Sequence, residues 1–97
     1  MWTTLVKHNY KEIMNTHDRL LDFIKMKIKL AGIELNEELN DNTSLIKSGL
    51  FDSLALLELS ILIEKEIGSQ IDLTSIDIRE DWDSITNILN FIETYNQ

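Results

Sequence analysis

The chain has 97 residues, with 17 Asp and Glu against 9 Lys and Arg, a net charge of −8, and neither cysteine nor proline. This excludes a disulfide framework, a thiolate metal site and a cysteine nucleophile. It also argues against a nucleic-acid surface, which needs clustered cations to displace phosphate counterions. A hydrophobic content of 43% is enough for one core, and no apolar run approaches the ~20 residues of a membrane span.

The opening stretch MWTTLVKHNY lacks a signal-peptide h-region, so the sequence predicts a cytoplasmic protein, and we expect a monomer. Residues 1–15 read as an N-terminal extension or a prolongation of the first helix, because Val6, Tyr10 and Ile13 nearly continue its apolar stripe. That helix is expected to start at Asn15 or Thr16, with Asp18 at the positive end of its dipole. Leu20, Leu21, Ile24 and Ile28 recur at helical spacing, Lys25, Lys27 and Lys29 occupy the last turns, and Gly32 marks the stop.

Residues 31–52 form a long connection carrying Ile33, Leu35, Leu39, Leu45 and Ile46, with room for a short helical turn. A second helix is predicted from Asp52 to Ile67, ended by Gly68. Residues 69–83 are polar, anchored by Ile71, Leu73, Ile76 and Ile78, with one helical turn expected near Thr74–Ile78. The last helix should begin at Asp83 or Ser84, both good caps, and bury Ile85, Ile88, Leu89 and Ile92. The fold class is all-α, a small bundle of three main helices and a short fourth. Charge is uneven: residues 1–33 hold six bases and three acids, whereas 34–97 hold three bases and fourteen acids. An acidic face for a basic partner is one reading and plain solubility the other.

On a wheel with Ser53 at zero, Leu56, Leu59, Ile63 and Ile67 fall between about 240° and 320°, the expected core face. Leu54, Leu57 and Ile61 fall in a second arc between about 40° and 100°, flanked by Glu58, Lys65 and Glu64. Such a stripe suits a docking surface; the alternative is a central helix buried all round. Ser53 opens the helix after Asp52 and the turn Ser48-Gly49-Leu50-Phe51. A helix start suits a cap or an anion equally. Nothing nearby would activate Ser53, since His8 and His17 read as exposed helix residues rather than bases.

Gly49-Leu50-Phe51-Asp52-Ser53-Leu54 resembles the Asp-Ser-Leu attachment site of acyl carrier proteins, over about residues 16–95. The resemblance implies an acyl-carrier-like bundle, with residues 16–97 as the carrier domain. It also implies that the chain is not itself an enzyme. Ser53 would carry 4′-phosphopantetheine beside Asp52 and Leu54, and the arm's thiol would hold acyl or aminoacyl cargo as a thioester. A cysteine-free chain needs such an external thiol. The implied partners are a phosphopantetheinyl transferase, an adenylating ligase or acyltransferase, and a downstream synthase or transferase. They would dock on Leu54, Leu57 and Ile61, with Glu58 and Glu64 as polar contacts.

Two positions depart from fatty-acid-synthesis carriers. Ala55 stands where those commonly have an acid, and Lys65 interrupts the Glu64–Glu66 run, so both are expected to weaken the negative field. The segment Asp77-Ile78-Arg79-Glu80-Asp81-Trp82-Asp83-Ser84 is similar to one in D-alanyl carrier proteins, which a separate adenylating ligase loads. Trp82 alternatively reads as a hydrophobic lid. The expected function is a free-standing carrier of a specialised pathway. An ordinary fatty-acid carrier and an unmodified helical adaptor are the alternatives. A small enzyme finds little support, because Asp81, Asp83 and the two histidines form no catalytic or metal spacing.

Overall fold

Asn15 fixes where the first helix begins. In a computed structural model, which describes residues 15–35 and 37–95, its backbone is extended and its side chain accepts the Asp18 N–H at 2.9 Å. Helix α1 therefore runs Thr16–Leu30, and the upstream stripe of Val6, Tyr10 and Ile13 lies outside the described residues. At its end Gly32 adopts φ +70°. The Gly32 N–H donates to Lys29 O and the Ile33 N–H to Ile28 O, closing the orphan carbonyls of the last turn.

Helix α2 spans Ser53–Ile67, capped by Asp52 and stopped by Gly68 at φ +73°. A 3-10 turn over Leu73–Ser75 and a four-residue α3, Ile78–Asp81, replace the single turn expected near Thr74–Ile78. Helix α4 covers Ile85–Tyr95. No strand occurs among the described residues, none of their helices is long and apolar enough to cross a membrane, and 37–51 contain turns and bends but no helix.

Helices α1 and α2 are antiparallel, because Arg19 meets Glu66 while Lys27 meets Glu58. Their shared core holds Leu20, Ile24 and Ile28 from α1 and Ala55, Leu59 and Ile63 from α2. Ile85, Ile88 and Ile92 of α4 close it, with Leu89 only partly buried. The core arc of α2 is wider than the wheel suggested. Leu56 and Ile67 are half-buried within it, while Ala55 and Ser60 are buried at its margins. Ser60 is tolerated there because its hydroxyl donates to the Leu57 carbonyl at 2.6 Å.

Trp82 is not a lid. It is fully buried, edge-on to Phe91 with ring centroids 5.6 Å apart. Its indole N–H has no partner among the described residues. The cap of α4 also resolves: Ser84 Oγ accepts the Asn87 N–H at 3.2 Å, and Asp83 is left for another task.

Candidate functional site

The start of α2 is prepared by the chain before it. Gly49 takes φ +82°, a conformation that side-chain-bearing residues rarely adopt, and its N–H donates to Ile46 O at 3.0 Å. The Phe51 N–H then donates to Leu45 O at 2.9 Å. Phe51 and Leu45 are both buried, and Phe51 packs edge-on against Phe23 of α1, 6.2 Å between centroids. The residue after this plug is Asp52, whose Oδ1 accepts the Ala55 N–H at 2.8 Å.

Ser53 follows as the first residue of α2. Its side chain is exposed, and its hydroxyl makes no hydrogen bond to the other described residues. The capping duty falls on Asp52, so the serine hydroxyl is spare. First-turn amides and the helix dipole favour an anion at this end by roughly 0.3–1 kcal/mol. Of the two histidines only His17 is described, and its hydrogen bonds go elsewhere. His8 lies outside the described residues. His17 is half-buried, not the free surface residue expected: it hydrogen-bonds Asp41 at 2.8 Å and Asp18 at 3.3 Å. Those bonds, Asp41's first, raise its pKa against the opposing effect of burial. The acids are engaged too, since Asp81 accepts the Asp77 N–H at 3.1 Å and Asp83 holds the loop. No His, Asp and Glu cluster fit for a metal occurs among the described residues.

The apolar stripe is exposed on α2: Leu54 at 63%, Leu57 at 56% and Ile61 at 47%. The two glutamates beside it have partners within the chain. Glu58 pairs with Lys27, whose ammonium also lies 5.6 Å from the Phe23 ring centroid, and Glu64 accepts the Ile71 N–H at 2.8 Å. Ala55 is buried, so the missing acid there takes nothing from the surface field; an acid at this position would enter the core. Lys65 is exposed and does act on that field. A shallow groove of about 280 Å³ borders the stripe, walled by Lys27, Leu30, Leu50, Asp52, Leu54 and Glu58.

No family model, curated protein or solved structure matches the chain.

What the site can do therefore follows from its own parts. A spare, exposed hydroxyl on a fixed helix start can accept a group from another enzyme, and a neighbouring apolar stripe can seat that enzyme. Among the described residues, the histidine and the acids named above are engaged in other hydrogen bonds.

The residue that sequence reading missed is Asp83. It holds the loop 44–47 through the contacts described below, and the only signal for it was that two adjacent residues, Asp83 and Ser84, were both competent to cap one helix.

Proposed function

We propose that the chain is an acyl or aminoacyl carrier that bears 4′-phosphopantetheine on Ser53, acting as a cytoplasmic monomer without catalytic chemistry of its own. The supporting observation is the Ser53 hydroxyl, unpartnered among the described residues, at the first position of α2, directly after a capping aspartate and beside an exposed apolar stripe. We read the three long helices and short fourth as an acyl-carrier-like bundle.

The residues fit the arm. Ser53 offers an exposed oxygen, Asp52 fixes the first turn, and the phosphodiester's charge is favoured at a helix N-terminus. When bound, the group supplies a thiol that holds cargo as a thioester, which a chain without cysteine cannot do. The chain's own part is to bind, orient and present. In a transferase's active site Ser53 Oγ would form the new ester bond to phosphorus as the nucleotide part of coenzyme A leaves. The hydroxyl proton passes to the transferase. Leu54, Leu57 and Ile61 would seat the transferase and later partners. Glu58 and Glu64 contribute charge at the rim while holding Lys27 and Ile71.

Cargo from an adenylating ligase is the reading we favour over malonyl transfer. Lys65 weakens the negative field met by basic fatty-acid enzymes, so Lys65→Glu should speed malonyl loading of the holo protein. Loading of the unaltered holo protein as fast as a fatty-acid carrier would return it to ordinary lipid synthesis.

Intact mass after incubation with coenzyme A, magnesium and a permissive phosphopantetheinyl transferase tests the main proposal. The expected result is a gain of one phosphopantetheine by the native chain and none by Ser53→Ala. An unmodified native chain would leave the helical adaptor, with Ser53 as an ordinary helix residue.

A further inference from the structure

The loop that delivers Ser53 is shaped by a residue far along the chain. Asp83, between α3 and α4, accepts the Ser44 hydroxyl at 2.9 Å on Oδ1. The same oxygen accepts the N–H groups of Ile46 and Lys47 at 2.8 and 2.9 Å, across 37 and 36 positions of sequence. Asp83's backbone carbonyl accepts the Leu45 N–H at 2.6 Å. Lys47 reaches Glu80 of α3 at 2.7 Å, which fastens the same loop a second time.

Inside the loop the bonds close on themselves. Ser44 Oγ accepts the Ser48 N–H at 3.1 Å, and Ser48 Oγ donates to Ser44 O at 2.6 Å. Gly49 and Phe51 return to the carbonyls of Ile46 and Leu45. Asp52 and Ser53 come next, so the shape of 44–51 sets where the acceptor hydroxyl stands.

We infer that Asp83 is a positioning residue for Ser53: one carboxylate moulds the loop that presents the modified serine to its enzymes. The enzyme involved rests on the carrier reading above; the loop geometry does not. A partner that recognises one loop shape binds only the fraction of molecules in that shape, so its apparent dissociation constant rises as the fraction falls. Loss of the mould should therefore raise KM and leave kcat nearly unchanged. A general loss of stability in a protein that remains folded should move neither.

The experiment measures phosphopantetheine transfer kinetics and amide hydrogen exchange on native protein, Asp83→Asn and Ile92→Val. Ile92 is a buried α4 residue and serves as a stability control. Asp83→Asn should raise KM about tenfold with kcat within about twofold, as expected when charge-assisted bonds are lost. It should also speed exchange at Ile46, Lys47 and Phe51, while Ile92→Val leaves KM and those amides as they were. An unchanged KM in Asp83→Asn, an equal rise in Ile92→Val, or unaltered exchange at Phe51 would overturn the inference. If Asp83→Asn does not fold, Ser44→Ala decides by the same readouts, with a KM rise of about threefold for one lost hydroxyl donor. If the native chain takes no phosphopantetheine, the carrier reading fails and the exchange data alone judge Asp83.

Discussion

Arg19 in α1 forks onto Glu66 near the end of α2, with Nη2 2.6 Å from Oε1 and Nε 3.0 Å from Oε2. Thr16 adds its hydroxyl to the same carboxylate at 2.7 Å. The Glu66 side chain is 10% exposed and Arg19's 36%, so the acid is the buried partner and the guanidinium retains access to water. Glu66→Gln should cost about 1 kcal/mol, which in a domain of this size lowers Tm by about 4–8 °C. Thermal unfolding checks it, and no change in Tm would reduce the fork to a surface decoration.

Acid should loosen the molecule through two carboxylates. Burial raises the pKa of Asp83, but the N–H groups of Lys47 and Ile46 and the Ser44 hydroxyl outweigh it and hold it below its ordinary 3.8. At Glu66 burial is likewise outweighed, here by Arg19 and Thr16, leaving it below 4.5. A depressed folded pKa contributes stability that is present above the unfolded value and lost as pH falls through the folded one. Urea midpoints of native protein and Asp83→Asn should thus differ most at pH ~6, and the difference should shrink as pH falls below 3.8 toward the folded pKa. A constant difference across that range would refute the assignment.

His17 acts with the opposite sign. Its folded pKa is raised above 6.5 by Asp41 and Asp18, so its contribution is complete below that value and fades as pH climbs through the folded pKa. Replacing it with Gln should flatten the alkaline fall in urea midpoint. An unchanged slope would show that the imidazole's charge is irrelevant to the fold.

Neighbouring leucines on α2 should respond differently. Leu59 is fully buried and its truncation to Ala should cost ~2–5 kcal/mol. Leu57, 56% exposed, should lose less than about 0.5 kcal/mol on the same change. Chemical denaturation of both variants compares them, and equal large losses would mean that the stripe is packing rather than a surface.

Ala55 offers a sharper test of burial. By propensity, an acid in the first turn of a helix is favourable. Here Ala55→Glu would push a carboxylate against the core, and we expect a loss of about 1–3 kcal/mol. Lys65→Glu, on the exposed face, should stay within about 0.5 kcal/mol of native. A neutral Ala55→Glu would show that the side chain escapes to solvent.

These contrasts separate what was legible in the sequence from what was not. The ends of α1 and α2 were written locally, in Asn15, Asp52 and the glycines after each helix, because caps act within a few residues. Periodicity grouped Leu54, Leu57 and Ile61 into one stripe but left open whether it was exposed or buried. Three features were hidden: Ala55 and Ser60 in the core, Trp82 at its centre, and Asp83 on the loop. Asp83 shows the reason most plainly, because its partners lie 36 to 39 positions away, where no local pattern reaches. The spare Ser53 hydroxyl stood between: its position was readable, but its freedom depended on which neighbour took the cap.

The distance between Asp83 and its loop also sets an order of events. During synthesis Leu45, Ile46 and Lys47 are joined to the chain before residue 83 exists. The turn ahead of Ser53 can take its final form only after the linker to α4 has been made and has folded back. An enzyme that reads that turn would pass over nascent and truncated chains and act on finished molecules.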